Sequence, residues 1–290
     1  LHPLADVIKL LTKEDFVPST GNRVLHTIAP WLSVFFALIA FCAIPFGDRL
    51  TLFGRTIELQ VAHLDAALLY VLALASIGTY GVILAGMASG TNLSTLGGLR
   101  AASQMLAYEI VLGVSLIGTI VWYGTVDLQE IIRLQGSSPW GWGFVAQPIG
   151  CLVFMTAALA ETKRVPFDLP EGEPEIIGYF TEYSGMKFGL FFLTDFVETV
   201  LVAALTTVLF FGGWQLPLVD PNAFSPNVMA LLGVGAFTLK VACFLWLFMA
   251  IRWTLPRFRY DQLMRLGWKV LFPLSIANIG VTGVARLLVR

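Results

Sequence analysis

The stretch GLFFLTDFVETVLVAAL, residues 189–205, decides the architecture. Two carboxylates, Asp195 and Glu198, interrupt an otherwise apolar run with no polar stripe of the kind a surface helix shows. Read outward, the run extends over 184–211, long enough as a helix to cross a hydrocarbon layer of about 30 Å. Similar runs recur at about 29–45, 67–87, 103–122, 147–161, 228–251 and 270–288, so seven membrane-spanning helices are expected. The fourth is short, with Pro148 placed to start it and Glu161 to end it. No run alternates apolar and polar residues as a transmembrane barrel would. The 290 residues are 57% hydrophobic and 13% charged, with mean hydropathy +0.79. Charge is too scarce to solvate a globular surface, which excludes a soluble enzyme, a disordered tail and a disulfide scaffold. The expected fold is an all-α polytopic membrane protein, one membrane domain over 1–290.

Lysine and arginine orient it. The segments before the first span, between the second and third, between the fourth and fifth (161–187), and between the sixth and seventh (252–269) hold twelve, against five on the opposite side. The twelve-charge side faces the cytoplasm or its equivalent. The opening LHPLADVIKLLTKED has neither basic leader nor apolar signal core, and the chain is expected to lack its true N-terminus. In it Leu4, Val7, Ile8 and Leu11 face one way and Asp6, Lys9 and Lys13 the other, so 1–28 is expected as an amphipathic surface segment. Net charge −1 gives no case for nucleic acid. Cys42, Cys151 and Cys243 lie far apart in apolar runs and are expected to be buried. His2, His26 and His63 show no metal spacing and are expected outside the spans, so no metal site is expected.

The candidate chemistry lies in two places. The 161–187 segment, ETKRVPFDLPEGEPEIIGYFTEYSGMK, carries Glu161, Asp168, Glu171, Glu173, Glu175 and Glu182. Pro166, Pro170 and Pro174 preclude one continuous helix. Interleaved apolar residues point to a packed loop rather than a solvated one. Within spans lie Glu109, Asp195, Glu198 and Lys240. A charge at a helix centre costs about 2.5–3.5 kcal/mol on insertion scales, and such residues mark ion or proton routes or buried structural pairs. Asp195 and Glu198, three residues apart, share a face and repel, which favours proton exchange. For Lys240 a structural pairing with a carboxylate and an ion-route role both stand.

AETKRVPFDLPEGEPEIIGYFTEYSGMKFGLFFL at 160–193 resembles the signature of one membrane-subunit family of complex I, lettered H in bacteria and numbered first in mitochondria. RWTLPRFRYDQLMRLGWKVLFPLSIAN at 252–278, PLADVIKLLTKED near the start and LRAASQMLAYE around Glu109 are similar to that family too. The resemblance implies eight transmembrane helices, the first missing here, at the joint between membrane and peripheral arms of the proton-pumping NADH:quinone oxidoreductase. It implies a quinone chamber lined by the 161–187 loop, with Arg164, Phe167, Asp168, Glu171, Glu173 and Glu175 as its residues. It implies a proton path through Glu109, Glu161, Glu182, Asp195 and Glu198, with Arg164 as charge partner of the acids. Quinone is then the substrate, and NADH, FMN and iron–sulfur clusters belong to partner subunits. The implied neighbours are the peripheral-arm quinone-site subunits, other membrane-arm subunits and the lipid bilayer. A bacterial inner membrane is the expected location, a mitochondrial inner membrane the alternative.

The chain departs from the family pattern at Thr194, Asp195 and Phe196, where Ala-Glu-Tyr is common, and at Glu198, where an amide or apolar residue is common. With no nucleotide loop, flavin motif or cluster cysteines, it lacks a complete active site of its own. The other readings are a subunit of a related hydrogenase-type or phenazine-linked complex, a stand-alone ion-coupled transporter, and a structural anchor.

Overall fold

A computed structural model of the chain describes residues 2–52, 55–136, 141–170, 177–217, 219 and 225–289. Helix α1 (His2–Thr12) precedes α2 (Arg23–Ala40), which a short 3-10 turn extends to Ala43. A hairpin of β1 (Arg49–Leu52) and β2 (Arg55–Glu58) leads to α3 (Ala67–Ala88) and α4 (Asn92–Tyr123). Short helices α5 (Leu128–Gln135) and α6 (Gly143–Ala146) lead to α7 (Pro148–Glu161), and α8 (Gly185–Phe210) and α9 (Pro226–Thr254) follow. Helix α10 (Tyr260–Arg265) runs through a π-helical segment, Leu266–Leu271, into α11 (Phe272–Val289). Among the described residues six helices are long and apolar enough to cross a membrane, and α7 is a shorter apolar one. The chain is an all-α polytopic membrane protein in architecture, with one small hairpin that the apolar runs did not announce.

Local chemistry sets the ends. Asn22 Oδ1 accepts from the backbone N–H groups of Val24 and Leu25 and starts α2. Pro148 stands in the first turn of α7, where its missing N–H costs nothing. Gly124, with φ +78°, closes α4 in the left-handed region. Helix α4 begins at Asn92 rather than near 103, because NLSTLGGLRAA is helical although too polar to read as lipid-crossing. Its glycines permit close contact: a Cβ on Gly86 of α3 would lie 2.8 Å from Cα of Gly98. Helix α7, with 14 residues, is about 21 Å long, too short to span alone. It is tolerated at membrane depth because most of it packs on protein, with Cys151, Phe154, Ala157 and Ala158 buried in the main core and α4, α8 and α11 as its neighbours.

The four basic segments meet at one end. Asn22 N–H donates to Ala88 O at 3.0 Å, and Phe258 N–H to Pro166 O at 3.1 Å. Ser94 Oγ donates to Tyr179 O, and Ser184 Oγ to Glu14 O. The opposite end holds the hairpin, with Arg49 paired to Glu58 at 3.1 Å and Arg133 to Asp48 at 3.3 Å. The division of charge read from the sequence therefore coincides with two physical ends of the bundle.

Candidate functional site

Helix α7 stops at Glu161, and Lys163 takes φ +55°, a left-handed conformation that costs a non-glycine residue about 1–2 kcal/mol. The turn directs its side chain inward, where it is 1% exposed. Lys163 Nζ lies 2.8 Å from Asp195 Oδ1 and 4.0 Å from Glu198 Oε2, and 5.5 Å from the centroid of the Tyr179 ring. Each charge taken alone into such an interior costs several kcal/mol, so the carboxylates and the ammonium hold one another there. A cavity of about 40 Å³ opens beside them, lined by Glu161, Thr162 and Glu198 and otherwise by apolar side chains of α2, α3, α4, α7 and α8. Its only polar lining comes from Glu161, Thr162 and Glu198. Glu161 is within electrostatic reach of Glu198, Glu109 and Lys163. Glu109, on α4, accepts a hydrogen bond from Ser76 Oγ of α3. Asp195 and Glu198 thus share one ammonium, and Glu161 lies within electrostatic reach of both Glu198 and Glu109.

The chain after Lys163 is tied to the α9–α10 connection and to α4. Arg164 lies over the ring of Phe196, 4.7 Å from its centroid, and within electrostatic reach of Glu198. Phe167 is buried, stacked on Phe258 at 5.4 Å and tilted against Tyr108 at 6.0 Å. Gln104 Nε2 donates to both Ala160 O and Phe167 O. Arg257 donates to the backbone oxygen of Asp168, and Tyr108 OH to Leu263 O at 2.9 Å. Glu171, Glu173 and Glu175 lie outside the described residues. Glu182 is not in the cluster. It stands near the start of α2, followed by Tyr183, which stacks on His26 at 3.9 Å, and close to the Lys187–Asp15 pair at 2.9 Å. Burial pushes the Tyr183 phenol up from its ordinary value.

Several expectations are corrected. The cation in contact with the span acids is Lys163, a residue not singled out in the sequence, while Arg164 lies on an aromatic face within electrostatic reach of Glu198. Lys240 pairs with no carboxylate among the described residues: its Nζ donates to the carbonyls of Phe211, Gly213 and Gln215, just past the end of α8, and lies 4.5 Å from the Trp142 ring centroid. Cations suit a helix C-terminus, where carbonyls lack partners. His26 lies inside α2 and is fully buried. Of the cysteines only Cys151 is buried; Cys42 is intermediate and Cys243 exposed on the bundle's outer face. The signal for Lys163 was present but unread: a lysine directly after a buried helix, in a chain with one more span acid than a simple pair requires. Among the described residues no group of His, Cys, Asp and Glu is arranged to hold a metal ion.

A family model described as NADH dehydrogenase matches residues 1–283. The chain belongs to the NADH dehydrogenase family. It is 47% identical over 99% of its length to the H subunit of the NADH-quinone oxidoreductase of Thermomicrobium roseum, covering 83% of that protein. With the H subunit of the Flavobacterium psychrophilum enzyme it shares 44% identity over 100% of the chain and 85% of the relative. With the second H subunit of Rhizobium meliloti it shares 46% over 98% of the chain and 83% of the relative. In this member of the NADH dehydrogenase family the carboxylate series and the buried lysine are therefore features of a multi-pass membrane protein akin to one subunit of an oxidoreductase complex.

Proposed function

We propose that the chain is the membrane subunit that couples quinone reduction to proton translocation in a NADH:quinone oxidoreductase of a bacterial inner membrane. The observation that carries the reading is the buried Lys163–Asp195–Glu198 cluster, open to a cavity and continued by Glu161 and Glu109. Electrons reach the quinone from flavin and iron–sulfur groups on partner subunits. Arg164 and Asp168 belong to the quinone chamber, a role the sequence motif assigns also to Glu171, Glu173 and Glu175. Phe167, wedged between Tyr108 and Phe258, holds the loop in place rather than forming a wall. Reduction of a quinone changes the charge in the chamber, and a loop fixed to α4 and to the α9–α10 connection passes that change to the carboxylates as an electrostatic bias. Glu161 and Glu198, which line the same cavity, move the proton onward to Glu109; Glu182 stands at the chamber's outer margin. Helix α1, whose Leu4, Val7, Ile8 and Leu11 are exposed, lies on the membrane surface.

Purification of the tagged chain in mild detergent tests this. Peripheral-arm and membrane-arm polypeptides are expected to co-purify, and the preparation to reduce quinone with NADH while sealed vesicles take up protons. Recovery of the chain alone or as a homo-oligomer would refute the reading in favour of a transporter.

A further inference from the structure

The site holds one ammonium between two carboxylates, and its distances are unequal. The backbone at Lys163 adopts a conformation better suited to glycine, yet a long side chain is retained there and is buried to 1% exposure. Glu198 Oε2 is buried, accepts no hydrogen bond among the described residues, and belongs to the carboxyl group that faces the cavity. We propose that Lys163 is the positioning residue of the carboxylate series: its ammonium, shared unequally by Asp195 and Glu198, selects which of them carries the negative charge. Among the described residues the charged and polar groups facing it include Asp195 and Glu198 of α8, Glu161 at the end of α7, Arg164 beside it, and the ring of Tyr179.

A proton reaching the Asp195 carboxylate forms an O–H bond there and cancels the anion of the closer pair. The ammonium is then drawn to Glu198, whose own proton passes to the Glu161 carboxylate. The charge of the trio is unchanged, and one proton has advanced along α8. Without the cation, two carboxylates one turn apart repel, and neither orders the other.

The inference rests on the quinone-reductase reading, and its test separates the two. K163Q, E198Q and the double variant are compared in the assembled complex. K163Q is expected to lower proton-coupled quinone reduction at least about tenfold, well short of the full cost of breaking a buried ion pair, and to shift its pH profile. The double variant is expected to stay within about threefold of E198Q and to keep the E198Q pH profile, because without Glu198 the ammonium has no second carboxylate to choose between, as for residues that act as a unit. A double variant that loses the product of the single losses, or K163Q at the wild-type rate, overturns the proposal. If K163Q does not assemble, assembly of the double variant supports the proposal, and its failure to assemble when E198Q assembles overturns it. Should the wild-type complex reduce no quinone, the functional reading fails on its own. The melting temperatures of the four proteins still decide the pairing: non-additive shifts support it and additive shifts overturn it.

Discussion

Lys240→Met separates an ion route from a helix cap. The ammonium donates to three backbone carbonyls, of which Gly213 is buried and Phe211 and Gln215 half-buried. An acceptor left buried and unpaired costs roughly 1–3 kcal/mol, so counting the half-buried ones by half gives a loss of about 2–6 kcal/mol. The lost contact with the Trp142 face adds about 0.5–2 kcal/mol. Against this, methionine relieves the burial of a charge at membrane depth, worth about 2.5–3.5 kcal/mol. The net destabilisation is about 2 kcal/mol, or about 5 °C in melting temperature for a domain of this size. The assay is thermal denaturation of the purified complex, alongside quinone reduction and proton uptake well below the transition. Turnover is expected to stay within about twofold of wild type, because the cap touches none of the carboxylates. An unchanged melting temperature combined with lost proton uptake would refute the cap and make Lys240 part of the path.

Gly97→Ala would put a Cβ 2.5 Å from the carbonyl carbon of Gly178, backbone against backbone. It should cost about 1–3 kcal/mol and loosen the 177–184 segment from α4, seen as faster proteolysis there. Arg164→Lys should impair quinone reduction while electron entry to an artificial acceptor stays intact, since an ammonium does not reproduce a guanidinium stacked on the Phe196 face; normal quinone turnover would count against it. In the intact complex, segments 161–187 and 252–269 should resist protease far better than in the isolated chain, and equal cleavage would remove the case for partners covering them.

Spans were readable because lipid imposes length and apolarity on each helix independently. Pro148 and Glu161 bounded α7 correctly for the same local reasons. What local rules do not encode is where a side chain goes after a helix ends. Lys163 and Arg164 are adjacent basic residues in the sequence, and only the left-handed turn at Lys163 sends one inward to Asp195 and the other onto Phe196. The same holds for His26, whose burial depends on Tyr183, more than 150 residues away along the chain. The early start of α4 was hidden because Gly97 and Gly98 dilute hydropathy while serving contacts with Gly178 and Gly86. Lys240 was visible as an anomaly, but its partners are backbone oxygens, which leave no trace in side-chain composition.

The π-helical segment Leu266–Leu271 has a consequence for how this region tolerates change in length. A π turn accommodates one residue more than the α turn it replaces. Beyond it, Asn278 donates to Gln147 Oε1 at 2.7 Å, and Gln147 in turn donates to Thr282, an amide cluster joining α11 to the start of α7. Deleting one residue from an ordinary α-helix rotates everything downstream by about 100° and would turn Asn278 and Thr282 away from Gln147. Deleting one within 266–271 can instead convert the π turn to an α turn and leave the downstream phase intact. The segment is therefore a slack link, the place in the last helix where a codon can be lost while the amide cluster stays in register.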